Sequence, residues 1–418
     1  MKLAISVFVV LVFSSAVRSQ EFKFDADLDP FISLPGAYKL NPESLGELFK
    51  QGDMRQNPYF EWLSSDKRRA IFKRYPASNV EVDLTILKGT VPIQEMIVDF
   101  KDNRFLGVTI SIFNRGDAGK LERDDFESYF KGVGRHLGKQ LAARPNRRVG
   151  NIKRGLLTSG YTWISGRGMA VLEYNPGVMS ENRNVEFLRM RLCRREAGGS
   201  YAASMQERAA ATVRQSELPR NVVKDTNSGD VYVSEVPMVD QGGKGYCVVA
   251  SVQRLFEYYG VPCDMHQLAE IAGANPRTGT SSFETNKQLG SIDHLFKMRY
   301  SCLGIMSQRG DLREMEDPEK GYLGEIFDGD DFDKAVRKYT DAGIPLLWSL
   351  EVGRFQEEPP ISEQASGGHM RLIIGYNDEK DRILFSDSWG AGHELKSMGA
   401  NDAYKATRGL FLMKPVTN

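Results

Sequence analysis

Apolar residues recur at every second position in Val80, Val82, Leu84 and Ile86, and again from Leu106 to Ile112. Successive side chains of a strand point to opposite faces, so runs of this kind bury one face and must pair with other strands. Further strand-like runs lie near Gly160–Tyr174 and Val185–Cys193. Between them the period changes. Phe126, Phe130, Val133, Leu137 and Leu141 recur at helical spacing, which predicts an amphipathic helix over Asp124–Ala142. Residues 22 to about 75 read as a helical or irregular entry. The first half of the chain is thus expected to be an α+β domain over 22–195, one helix packed on an antiparallel sheet. It contains no cluster of chemistry-bearing residues.

From Glu196 to Asp230 the sequence is rich in Ala, Ser, Asn and charge, with breaker clusters at Leu218-Pro-Arg-Asn and Thr226-Asn-Ser-Gly-Asp. This stretch is expected to be a linker, placing a second domain at 231–418. There a helix runs from Cys247 to Tyr259, with Val248, Val252, Leu255 and Tyr259 on one face, closed by Gly260 and Pro262. A second helix, Asp331–Ala342, ends at Gly343 and Pro345. Leu346–Leu350 is a buried-strand candidate. Met370–Tyr376 and Arg382–Ser388 flank the turn Asn377–Asp381 as a hairpin, and Gly409–Met413 is a closing strand.

The chain opens on Lys2, an apolar run from Leu3 to Phe13 broken by Ser6, and small residues around Val17-Arg18-Ser19. The run is too short to span a bilayer and predicts a signal peptide over 1–19, hence a secreted or periplasmic protein with no stable membrane insertion. The chain has 418 residues and a formal net charge of zero, which gives no global electrostatic reason to expect nucleic acid as a partner. Four cysteines cannot form a disulfide framework for an exported chain of this size. Among them a Cys263–Cys302 bridge is possible. No feature specifies an oligomeric state.

The chemistry concentrates in three places. Gln241-Gly-Gly-Lys-Gly-Tyr-Cys247 is a glycine-rich loop leading into a helix whose first residue is cysteine. A thiol there meets the positive end of the helix dipole and the unpaired N–H groups of the first turn, both of which favour thiolate. The Gln241 amide and the Cys247 N–H are candidate donors to an oxyanion. Gly367-Gly-His369 opens the next piece, at the head of an apolar strand. Phe385-Ser-Asp387-Ser-Trp389-Gly390 ends the strand after it. If Tyr376 faces Arg382 across the hairpin, His369 and Asp387 share a sheet face as diagonal neighbours. A slip of one residue separates them. The expected roles are Cys247 as nucleophile, His369 as base and Asp387 as the group that orients the imidazole. No cofactor or metal is called for.

Residues 237–418 resemble papain-like peptidases, and specifically the bacterial double-glycine-leader (bacteriocin-processing) peptidase type and its free-standing secreted relatives. The resemblance is carried by Gln241 with Gly245-Tyr-Cys247, by Gly368-His369 before a strand ending Gly375-Tyr376, and by Asp387-Ser-Trp389-Gly390. It implies an oxyanion glutamine, nucleophile, base and orienting residue in that chain order. It also implies a helical half carrying the cysteine against a β-rich half, and a peptide or protein substrate. Papain itself has C-G-S-C-W around the nucleophile, against Lys244-Gly-Tyr-Cys-Val here. Its orienting residue is Asn, whereas Asp387 matches the leader-peptidase type. The membrane and nucleotide-transport segments of leader-processing exporters are absent, so a leader peptide is not implied as substrate.

The same triad would also serve amidase or transglutaminase-like transfer, and a degenerate domain would be a binding module. In that case the N-terminal domain would recognise a partner; in an active enzyme it would alternatively be a pro-region cleaved by the enzyme itself. Elsewhere, His266 reads as a surface or capping residue, and His136 and His294 lie in helical patterns without metal-ligand spacing. His393 is the reserve base. Asp328-Gly-Asp-Asp-Phe-Asp333 reads as an acidic helix start rather than a calcium loop. Arg144–Arg154 with Arg189, Arg191, Arg194 and Arg195 reads as a solvated basic face.

Overall fold

The computed structural model describes residues 22–50, 57–76, 80–150, 158–181, 183–205, 210–241, 246–263, 268, 289–291, 293–317, 321–361 and 366–417. The expected signal segment, His266 and residues 242–245 of the glycine-rich loop lie outside them. Among the described residues two large hydrophobic cores are present, one drawn from residues 26–192 and one from 211–413. Helix and sheet are mixed throughout, so the chain is α+β.

The first core lies beneath an antiparallel sheet with spatial order Phe60–Trp62, Arg69–Lys73, Glu95–Lys101, Arg104–Asn114, Phe187–Cys193, Gly168–Tyr174, Ser159–Ser165 and Asn146–Arg148. The alternating run Val80–Ile86 belongs to a separate small sheet, parallel to Phe22–Asp27 and antiparallel to Val91–Pro92. Residues 22–75, expected as a helical or irregular entry, are so only in part. Among the described residues they contribute three strands beside the α-helix Pro42–Leu48 and two single-turn 3-10 helices, Asp29–Phe31 and Ala37–Lys39. Strands of three to six residues carry too few repeats for a period to register, and they pair with segments distant in sequence. The helix Arg123–Leu141 buries Phe126, Phe130, Val133, Leu137 and Leu141 against the sheet. Phe126 and Phe130 set their rings edge-on to Tyr174.

Gly168–Tyr174 and Phe187–Cys193 are buried at every position, because the sheet is covered on both faces. The second cover is the C-terminal domain. This corrects part of the reading of the basic stretch, in which Arg144, Arg147 and Arg195 are exposed as expected. Arg148, Arg189 and Arg191 are buried rather than solvated, and Arg189 Nε donates to Glu173 at 2.8 Å. Arg194 lies over the Tyr38 ring and donates to the carbonyls of Phe105 and Tyr38. His136 bonds the Ile32 carbonyl, and His294 is exposed beside Asp293.

The second sheet runs Val222–Lys224, Asp230–Val233, Gly367–Asn377, Leu346–Val352, Thr407–Pro415, Met298–Met306, Leu312–Asp317 and Tyr322–Ile326, all antiparallel. Arg382–Ser386 pairs with Gly367–Asn377 and carries Lys396–Gly399 beyond it. The described residues of the stretch 196–230, expected as a linker, are structured. Ala197 and Tyr201 pack beside Cys193, Leu218 enters the second core, and Val222–Lys224 joins its sheet. The helix Gly329–Asp341 starts on Asp328, whose side chain accepts from the Asp331 N–H, as the acidic cluster predicts. None of the four cysteines is in a disulfide, so Cys263 and Cys302 are not bridged.

The helix Cys247–Tyr258 does not have one apolar stripe. Gln253 and Arg254 are buried along with the aliphatic positions. One side packs on strand Gly367–Asn377, and the other meets the N-terminal sheet, where Arg69 Nη2 lies 2.8 Å from Glu257. A sequence period reports only apolar faces, so a polar face buried against another domain goes unseen.

Gly375 marks the crossing of Gly367–Asn377 and Asp230–Val233. A Cβ there would stand 2.3 Å from the Val231 carbonyl oxygen and 2.7 Å from the Tyr232 Cβ. Gly375→Ala is expected to displace the Asp230–Val233 strand and lower stability by about 1–3 kcal/mol, measured by urea denaturation. An unchanged midpoint would mean that the two strands do not pack this closely.

Candidate active site

Cys247 opens its helix as expected, and it is partly exposed while nearly all of the helix behind it is buried. One turn on, Ser251 Oγ donates to the Met370 carbonyl at 3.2 Å. Residues four apart share a helix face, so this bond sets the thiol beside the His369–Met370 step of the neighbouring strand. Burial alone would push the thiol up. The hydrogen bond and charge of His369, with the backbone of Met370 and Val248, outweigh it and hold Cys247 below its ordinary value.

His369 is about nine-tenths buried on its strand, and its Nε2 lies 2.6 Å from Asp387 Oδ1. With that nitrogen engaged, Nδ1 is the one that faces the thiol. Burial works against the charged ring, but hydrogen bonds and charges from Asp387 and Cys247 push it up to about 9. Asp387 is completely buried. Burial raises it, and His369 and Arg371 overcome this to bring it to about 2. The arrangement favours a thiolate–imidazolium pair held from behind by a carboxylate.

The hairpin reaches this geometry by a different route from the one expected. Tyr376 faces Ile383, not Arg382, because the turn register is offset by one. An irregularity between Ile373 and Gly375 restores the offset, and Leu372 faces Ser386. Without that bulge His369 and Asp387 would lie on opposite faces.

Gln241 is buried, and its backbone N–H donates to the Ser388 carbonyl at 3.0 Å. Ser388 Oγ donates to Gln241 Oε1 at 2.7 Å. Because the amide oxygen is taken by a hydroxyl donor, the orientation of the Gln241 NH2 group is fixed. All four candidate residues are thus brought together.

Sequence reasoning missed the residues that hold them. Arg371, fully buried, donates from Nε to Asp387 Oδ2 at 2.6 Å and from its other nitrogens to Glu357, which also accepts from Lys396 at 3.0 Å. Arg254, on the Cys247 helix, donates to the carbonyls of Pro237 and Asp387, both at 2.8 Å, and to Ser386 Oγ. Trp389 stacks on His369 with ring centroids 4.6 Å apart. The one available signal was position: Arg371 sits two residues after His369, on the same strand face. His393 is not a reserve base. The imidazole at the thiol is that of His369; the His393 ring lies edge-on to Trp389, and burial and Lys396 hold its pKa below the ordinary value. Among the described residues no group of His, Cys, Asp and Glu could hold a metal ion.

Residues 233–410 match the model of the Peptidase_C39 like family. They form a papain-like cysteine peptidase domain. Comparison with curated proteins finds no match. Among solved structures, xylellain, a cysteine protease from Xylella fastidiosa, is 13% identical, with 50% of this chain and 92% of that chain covered and a TM-score of 0.27, too low to bear on the fold. The matched residues of the peptidase domain include Gln241, Cys247, His369 and Asp387 and stop short of the N-terminal sheet.

The titration of the pair sets a pH profile. Turnover needs a thiolate and a protonated His369, so it is expected to rise through the lowered thiol value and fall as His369 loses its proton near 9. Alkylation by iodoacetamide needs only the thiolate and should stay high above that point. Asp387→Asn removes a partner that raises His369, so the alkaline limb should move to lower pH. A limb that does not move would mean Asp387 does not set the imidazole.

Proposed function

We propose that the peptidase domain hydrolyses peptide bonds by acyl transfer through Cys247. The observation that carries this reading is the line of contacts from the Cys247 thiol through His369 to the buried Asp387 carboxylate. The thiolate attacks the substrate carbonyl carbon, and its electron pair moves to oxygen. The Cys247 N–H and the Gln241 amide receive that oxyanion. When the tetrahedral adduct collapses, imidazolium His369 gives its proton to the departing amine, leaving a thioester. Neutral His369 then takes a proton from water as the water attacks the thioester. The acid leaves and the thiolate–imidazolium pair returns. Asp387 keeps one ring nitrogen protonated throughout.

The exposed Gly367-Gly368 pair just before His369 presents backbone without side chains, which suits an extended peptide backbone. The signal-like N-terminus supports export of the protein. Among the described residues no helix is long and apolar enough to cross a membrane.

Profiling a peptide library against the wild type should give a defined set of cleavages. Cys247→Ala and His369→Ala should each remove them, Gln241→Ala should slow them about 100- to 1,000-fold, and Asp387→Asn should leave a measurable residue. Cleavage that survives Cys247→Ala would place the chemistry elsewhere. N-terminal sequencing of the exported protein tests the signal segment.

A further inference from the structure

Gln241 arrives on a segment with no regular secondary structure, residues 234–241, that passes between the two domains. A segment of this kind has no ladder of its own to fix it. Its position must come from what it touches. Within it Glu235 adopts a φ of 64°, a conformation that costs a non-glycine residue energy unless its surroundings impose it.

Within its own domain Arg254 holds Pro237 and Ser388 holds Gln241; across the domain boundary the segment touches one strand. In Arg69–Lys73 the side chains of Ala70 and Phe72 enter the N-terminal core, and by strand alternation Arg69, Ile71 and Lys73 face the peptidase domain. Arg69 Nη1 donates to the Met238 carbonyl at 3.0 Å, and Lys73 Nζ to Asp240 at 3.0 Å. Ile71 packs on Met238. Arg68, just before the strand, makes two bonds to Glu235, at 2.8 and 3.0 Å. Arg69 also pairs with Asp99 of its own sheet and with Glu257 of the Cys247 helix. The same guanidinium therefore links the segment that carries Gln241 to the helix that carries the thiol.

We propose that strand Arg69–Lys73 is a positioning element for the oxyanion site, with Lys73 and Arg69 setting where Gln241 stands. This rests on the peptidase reading of Cys247 and makes the N-terminal domain a working part of the enzyme. Lys73 and Arg69 touch no reacting atom, and of the two only Arg69 also reaches the Cys247 helix. Lys73 acts on the site through Asp240 alone, so the Cys247–His369 pair, held by Asp387, is independent of it.

The test uses the full chain and N-benzyloxycarbonyl-glycine p-nitrophenyl ester, whose acyl transfer forms an oxyanion. Iodoacetamide, whose reaction forms none, is the control. Lys73→Met and, from the other side, Asp240→Asn should each lower kcat for the ester about tenfold, with the Cys247 alkylation rate and its pH profile unchanged. Lys73→Arg should restore most of kcat. In a Gln241→Ala background Lys73→Met should have no further effect. Amide exchange at Gln241, whose N–H is bonded to Ser388, should quicken in Lys73→Met. Equal loss of alkylation, full additivity with Gln241→Ala, or unaltered exchange at Gln241 overturns the inference. A wild type without Cys247-dependent ester turnover sinks the peptidase reading instead, and the exchange rates still decide whether the strand holds the segment.

Discussion

The peptidase domain depends on one buried guanidinium. Arg254 stands on the Cys247 helix and donates to Pro237, to Asp387 and to Ser386. Those acceptors lie on the approach to Gln241 and at the end of the strand that delivers the acid. Two stretches far apart in sequence are thereby fixed to the helix that presents the thiol. Burial brings Arg254 down to about 10, which leaves it charged at neutral pH, and such a charge is tolerable only with acceptors in every direction. The site is therefore assembled around a group that takes no part in the chemistry.

A second buried chain runs behind the histidine. Asp387 divides its oxygens between His369 and Arg371, Arg371 passes to Glu357, and Glu357 to Lys396. Asp387, Arg371, Glu357 and Lys396 carry two charges of each sign, so the chain is neutral as a whole. Buried ion pairs of this kind contribute little net stability, yet losing one member costs about 3–5 kcal/mol because its partner stays buried and uncompensated. Their effect is directional. With Arg371 on one oxygen, Asp387 has a single orientation left for the imidazole, and Trp389 lies across the ring face to keep it there.

Much of this was legible in the sequence. A cysteine at a helix start after glycines, a histidine at the head of an apolar strand and an aspartate closing the next strand each announce themselves through local physics. The structure brings them together. What was not legible was non-local. Arg254 and Gln253 look like solvent-facing residues of an amphipathic helix, because nothing in residues 247–259 reveals that a second sheet covers that side. Arg189 and Arg191 look solvated for the same reason. The short strands at Phe60–Trp62 and Arg69–Lys73 are invisible until their partners are known. The hairpin register was sound at the site only because a bulge near Ile374 cancels an offset at the turn, a compensation that a count of residues cannot contain.

The four unbridged thiols have a practical consequence. Exported proteins are commonly stapled by disulfides, and the mild reductants that keep a reactive thiol usable would unpick them. Here cohesion comes from two hydrophobic cores and buried charge, while Cys193, Cys263 and Cys302 sit as small apolar fillers, with Cys193 and Cys302 pushed up to about 12 by burial. A reducing medium can therefore guard the sulfur at the helix tip without loosening anything else. An oxidising one threatens that single atom and leaves the scaffold untouched.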